Sequence, residues 1–116
     1  MPARTDESAA ASAISRGIVT IYAERYGRGP TGARTHVNDD YVLTVLDESF
    51  TVADKTLFKA GKARQVEETR RAFQEAVRDQ FIELVESSTG RTVDVFMSQL
   101  DPSSEKAIEL FLMKDG

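Results

Sequence analysis

The chain has no cysteine, and that absence removes disulfide staples, thiol nucleophiles and thiolate metal sites together. It has one histidine, His36. Ser/His/Asp catalysis would have to draw on that single ring without a nucleophile-elbow motif, and a zinc site would need Asp39, Asp40 or other carboxylates in an atypical set. No apolar run approaches the length of a bilayer span. Residues Met1 to Ser8 lack the basic-then-apolar order of a secretory signal. These absences lead us to expect a cytoplasmic protein with no direct membrane insertion, reaching the inner face of the membrane only through a partner.

What remains is ordinary for a globular domain: 116 residues, 41% hydrophobic and 29% charged, enough for one hydrophobic core and not two. The formal charge of −4 repels nucleic acid and anionic lipid, so no nucleic-acid partner is expected. Residues 1–8 are small and polar and read as a disordered tail, leaving 9–116 as a single domain.

Ile14, Ile18, Ile21 and Tyr22 recur at three- and four-residue steps, the spacing of a helical stripe. Ser8 is a suitable cap and Gly27 a suitable stop. Two β-rich runs follow, Arg34 to Val37 and Tyr41 to Leu46, separated by Asn38-Asp39-Asp40, and they read as an antiparallel hairpin. The second run is apolar at positions on both faces, so fuller cover is expected for it than for the first.

Thr51-Val52-Ala53-Asp54 has the spacing of a capping box, with Phe50 placed as a staple. Gly61 then divides a short helix from a longer one whose apolar stripe is Val66, Phe73, Val77, Phe81, Leu84 and Val85. Glu67, Glu68, Arg71, Glu75, Arg78 and Asp79 mark a solvated face. Thr89-Gly90 ends the helix. A second hairpin runs from Val93, through a turn at Asp101-Pro102-Ser103-Ser104, to Met113. The fold class is α+β in αββαββ order, a four-stranded antiparallel sheet with two main helices on one face. Its two open edges lead us to expect a homodimer.

One segment stands apart. Gly27-Arg28-Gly29-Pro30-Thr31-Gly32-Ala33-Arg34 packs glycines, a proline and two arginines into an elbow between helix and strand. As a candidate anion- or partner-binding site it would use Arg28 and Arg34 for charge, Gly29 for close backbone approach and Thr31 as a donor, with Arg25 adjoining on the preceding helix. The spacing fits neither a P-loop nor a dinucleotide fingerprint. The plainer reading is a helix stop and a tight turn, and the plainer reading is preferred. No catalytic residue, metal site or cofactor is expected.

Gly27-Arg28-Gly29-Pro30, the Asp39-Asp40-Tyr41-Val42 turn, the Thr51 to Gly61 segment, Val66 to Gly90, Phe96 and Ile108-Glu109-Leu110-Phe111 fall in the order of a small bacterial family. The chain resembles the MpsC-like family from about Ile14 to Leu112, with Asp54 where a glutamate would be usual. The resemblance implies association with a sodium-translocating, membrane-potential-generating system linked to inorganic-carbon uptake. Since the chain carries no spanning segment, we expect a non-enzymatic accessory or regulatory protein that docks on a membrane transporter through a sheet edge or the elbow. The alternative is a sensor domain for a small anion or nucleotide.

Overall fold

The computed structural model describes residues 2–114, with side chains from Glu7 onward. Seven elements follow one another: α1 (Pro2–Arg25), β1 (Gly32–Val37), β2 (Tyr41–Asp47), α2 (Val52–Lys59), α3 (Ala63–Thr89), β3 (Val93–Asp101) and β4 (Lys106–Met113). This is the expected α+β architecture, with the second helical region divided at Gly61. Helical backbone starts at Pro2, ahead of the Ser8 cap, at a position where proline's missing N–H costs nothing.

The short helix α2 begins as its sequence demands. Thr51 Oγ1 accepts from the Asp54 N–H and Asp54 Oδ2 accepts from the Thr51 N–H, both at 3.0 Å, so two otherwise orphaned donors are satisfied. At the far end of α3, Gly90 adopts φ 71° and its N–H bonds the Glu86 carbonyl at 2.8 Å. That left-handed cap is the geometry glycine tolerates best.

The sheet is antiparallel throughout, in the order β1-β2-β4-β3. Alternation divides it into two faces. Val42, Thr44 and Leu46 of β2 and Ala107, Glu109, Phe111 and Met113 of β4 are buried on the inner face. There they meet Ile14, Ile18 and Tyr22 of α1 and Val77, Phe81 and Val85 of α3. The two long helices come close at Gly17, where an added Cβ would lie 2.6 Å from the Leu84 methyl carbons.

The fuller cover expected for β2 is one-sided. Every second residue of β2 is buried, whereas no residue of β1 is. Leu43 and Val45, with Ile108, Leu110 and Leu112 of β4, alternate to the opposite face and stay outside the core cluster.

Candidate functional site

Five parts of the chain converge on one buried polar cluster. Tyr22 lies in the last turn of α1 and Tyr26 just past its end, and Arg70 and Gln74 lie one turn apart on α3. Ser49 comes from the β2–α2 connection, Asp54 from the first turn of α2 and Glu109 from the middle of β4. The arginine is 2% exposed and the glutamate 0%, a depth at which charged groups need partners.

Arg70 finds them. Its Nη1 donates to the Ser49 carbonyl at 3.1 Å and lies 3.9 Å from Asp54 Oδ2. Its Nη2 donates to the Tyr22 hydroxyl at 3.2 Å and to Ser49 Oγ at 3.3 Å. The guanidinium also sits over the rings of Tyr22 and Tyr26, 5.3 and 5.1 Å from their centroids, adding cation–π attraction in a desolvated setting. Tyr26 in turn donates to Asp54 Oδ1 at 2.8 Å.

A second half of the network reaches the sheet. Tyr22 donates to Glu109 Oε2 at 2.8 Å, and Gln74 Nε2 donates to the same oxygen at 3.1 Å and to the Tyr22 hydroxyl at 2.5 Å. Burial pushes the Glu109 carboxyl up to about 7, against the opposing pull of Tyr22, Ser98, Arg70 and Gln74. Burial, and then the charge and hydrogen bond of Glu109, push the Tyr22 hydroxyl well above its ordinary value. Burial and the hydrogen bond to Asp54 do the same to Tyr26. Both phenols therefore remain protonated donors. Arg70 Nε, Gln74 Oε1 and Glu109 Oε1 are buried without a hydrogen-bond partner.

Above the cluster a cavity of about 300 Å³ opens between α3 and β3. Arg71, Gln74 and Arg78 line it from the helix, and Phe96, Ser98 and Leu100 from the strand. β3 ends the sheet on this side, so its outer backbone groups have no strand partner among the described residues.

The elbow residues are placed differently. Arg28 Nη1 donates to the Phe50 carbonyl, Thr31 donates to Glu48 Oε1 at 2.8 Å, and exposed Arg34 lies 3.9 Å from Asp47 Oδ2. Gly29 passes close against α1, where an added Cβ would stand 3.0 Å from the Val19 carbonyl oxygen. Arg25 is exposed in the last turn of α1. Arg28, Thr31 and Arg34 thus tie the elbow to the segment from Asp47 to Phe50. His36 is exposed on β1, and the Asn38 and Asp39 carbonyls accept from Arg91. Among the described residues no group of three or more histidines and carboxylates could hold a metal ion.

Sequence reasoning missed Arg70, Gln74 and Glu109. The signal was present as phase: Arg70 and Gln74 fall on the stripe that runs through Val66, Val77 and Phe81, and Glu109 alternates with Ala107 and Phe111. A polar residue in an apolar phase needs a buried partner, and no partner was visible from the pattern.

Fold and cavity together define a small α+β domain with a free sheet edge beside a half-polar groove, a layout suited to strand addition. The chain belongs to the MpsC family, Na+-translocating membrane potential-generating system, which it matches over residues 7–115. Comparison with curated proteins gives no match, and comparison with solved structures gives none. Among the described residues no helix is long and apolar enough to cross a membrane.

Proposed function

We propose that the protein is a non-enzymatic accessory component of a Na+-translocating, membrane-potential-generating system, acting by docking on a membrane-embedded partner from the cytoplasmic side. The observation that carries this reading is the free edge of β3 beside the α3–β3 groove. An extended segment of the partner adds to β3 as a fifth strand, its main chain pairing with the open edge. Alternate side chains then enter the groove, an apolar one between Phe96 and Leu100 and an acidic one toward Arg71 and Arg78, on a rim that Glu67 and Glu75 share. Membership of the family supplies the system, and the groove supplies the docking mode.

The test is capture of the tagged protein from gently cross-linked native cells, beside an Arg71→Glu, Arg78→Glu variant. Both arginines are exposed, so the variant is expected to fold normally. Wild type should recover an integral membrane protein and the variant should lose it. Equal recovery by both would overturn docking at the groove.

A further inference from the structure

The register of the sheet places its outer side chains in rows. Arg34, Val45, Ile108 and Gln99 form one row across the four strands, and His36, Leu43, Leu110 and Met97 the next. Tyr41, Leu112 and Val95 form a third. Eight apolar side chains are therefore contiguous on the face opposite the helix-packed core, with only Glu7 and Ser8 of α1 beside it, near Tyr41 and Leu43, among the described residues. Tyr41, Val95 and Met97 are 39%, 37% and 47% exposed, and the remaining five are half-buried. Monomeric proteins rarely leave an apolar patch of this extent open.

We propose that this outer face is the interface between two copies of the chain, packed sheet on sheet about a two-fold axis that runs along the strands between β2 and β4. Charge and shape both select this occupant and this axis. A rotation about that line lays β2 over the partner's β4, so Val45 meets the partner's Ile108 and Leu43 meets the partner's Leu110. It also lays the basic edge, Arg34 and His36 on β1, over the other edge of the partner, where Asp101 lies beside Gln99 on β3. A two-fold axis across the strands would instead stack β1 on β1 and β3 on β3, placing like edges together. The apolar patch maps onto itself under the first rotation, as an isologous contact requires.

The size sets the strength. Three rows over four strands project to about 400 Å² per copy at the usual strand spacing and rise. Side-chain relief brings the accessible area above that figure, yet it stays at the small end for stable dimers. The dimer is therefore concentration-dependent, with a dissociation constant in the micromolar range. It leaves the outer edge of β3 and the groove behind it open, so it is independent of any partner docked there.

Sedimentation equilibrium from low micromolar to near-millimolar concentration should give twice the monomer mass at the upper end. Leu110→Arg should weaken association by about a hundredfold, because it buries an unpaired charge at the centre of the contact. A second measurement does not depend on that variant's folding. The chain has no cysteine, so single Leu43→Cys and Leu110→Cys proteins can be mixed and oxidised. A disulfide between the two different variants supports the proposal. A wild type that stays monomeric throughout, or trapping mainly of Leu43→Cys with itself, overturns it.

Discussion

Tyr22 on α1 donates its hydroxyl to Glu109 on β4 at 2.8 Å, joining residues 87 positions apart. The bond holds the first helix to the centre of the sheet and gives a fully buried carboxyl its main donor. Gln74 of α3 donates to the same Glu109 oxygen, so three elements are pinned at one atom. Networks of this kind are cooperative, and a partly unsatisfied member makes them sensitive to protonation.

The first prediction follows from Glu109. Its pKa moves from 4.5 to about 7 through burial, so the folded state binds the proton more tightly than the unfolded chain. The associated stability is complete below 4.5 and is lost as pH rises through 7, a change on the order of 3 kcal/mol. Glu109→Gln cannot ionise and should flatten this slope. Urea midpoints should show the variant close to wild type near about pH 5 and clearly more stable near about pH 8. Asp47, held low by Lys106, and Asp101, held low by Ser104, act in the opposite direction, and only as pH falls below the ordinary carboxylate range. A wild-type midpoint unchanged between the two conditions would refute the account.

Arg70 should be the most costly single charge to remove. Arg70→Met leaves Asp54 and the Ser49 carbonyl buried with a partner missing, and breaking such a pair costs about 3 to 5 kcal/mol. Arg71→Ala, one residue on and exposed, should cost about 0.5 kcal/mol or less. Equal urea midpoints for the two variants would sink the distinction.

The two elbow arginines should separate in the same way. Arg28 reaches across to the Phe50 carbonyl in a part-buried setting, and its loss should cost about 1 to 2 kcal/mol. Arg34 is 63% exposed in its pair with Asp47, and Arg34→Ala should change stability by about 0.5 kcal/mol or less. Thermal melts with and without phosphate test the ligand role as well. A rise for wild type that the Arg28→Ala, Arg34→Ala variant lacks would support the elbow as an anion site, and equal melts with and without phosphate would count against it.

Gly90 caps α3 at φ 71°, with no atom within 4 Å of an added Cβ. Space is free there, so backbone strain alone sets the cost. Gly90→Ala should lose about 1 kcal/mol, and Gly90→Asn should lose less because asparagine tolerates the left-handed region. A denaturant series ranking alanine equal to asparagine would contradict this.

Much of the fold was legible in the residues. The Thr51–Asp54 capping box, the division at Gly61, the Gly90 stop and the two hairpin turns each depend on contacts within a few positions, where pattern and chemistry agree. The stripe through Val66, Val77, Phe81 and Val85 is buried as its period required. The candidate site was less legible. The glycines and arginines of the elbow announced unusual backbone and charge, yet the partners of Arg28 and Arg34 lie in the segment from Asp47 to Phe50, and no local pattern reveals that.

By itself the sequence determined where helices and strands form and which phase of each is apolar, because those follow from short-range sterics and burial periodicity. Tertiary structure alone decided what each phase would face. It brought Tyr22, Arg70, Gln74 and Glu109 together from α1, α3 and β4, since a pattern states that a side chain is inside without stating its neighbour. It also set the strand order that leaves β3 at an edge beside the groove, and the choice of packing face that leaves Leu43, Val45, Ile108 and Leu110 on the side away from the core. Sheet order is a long-range choice, made by the packing of the whole chain.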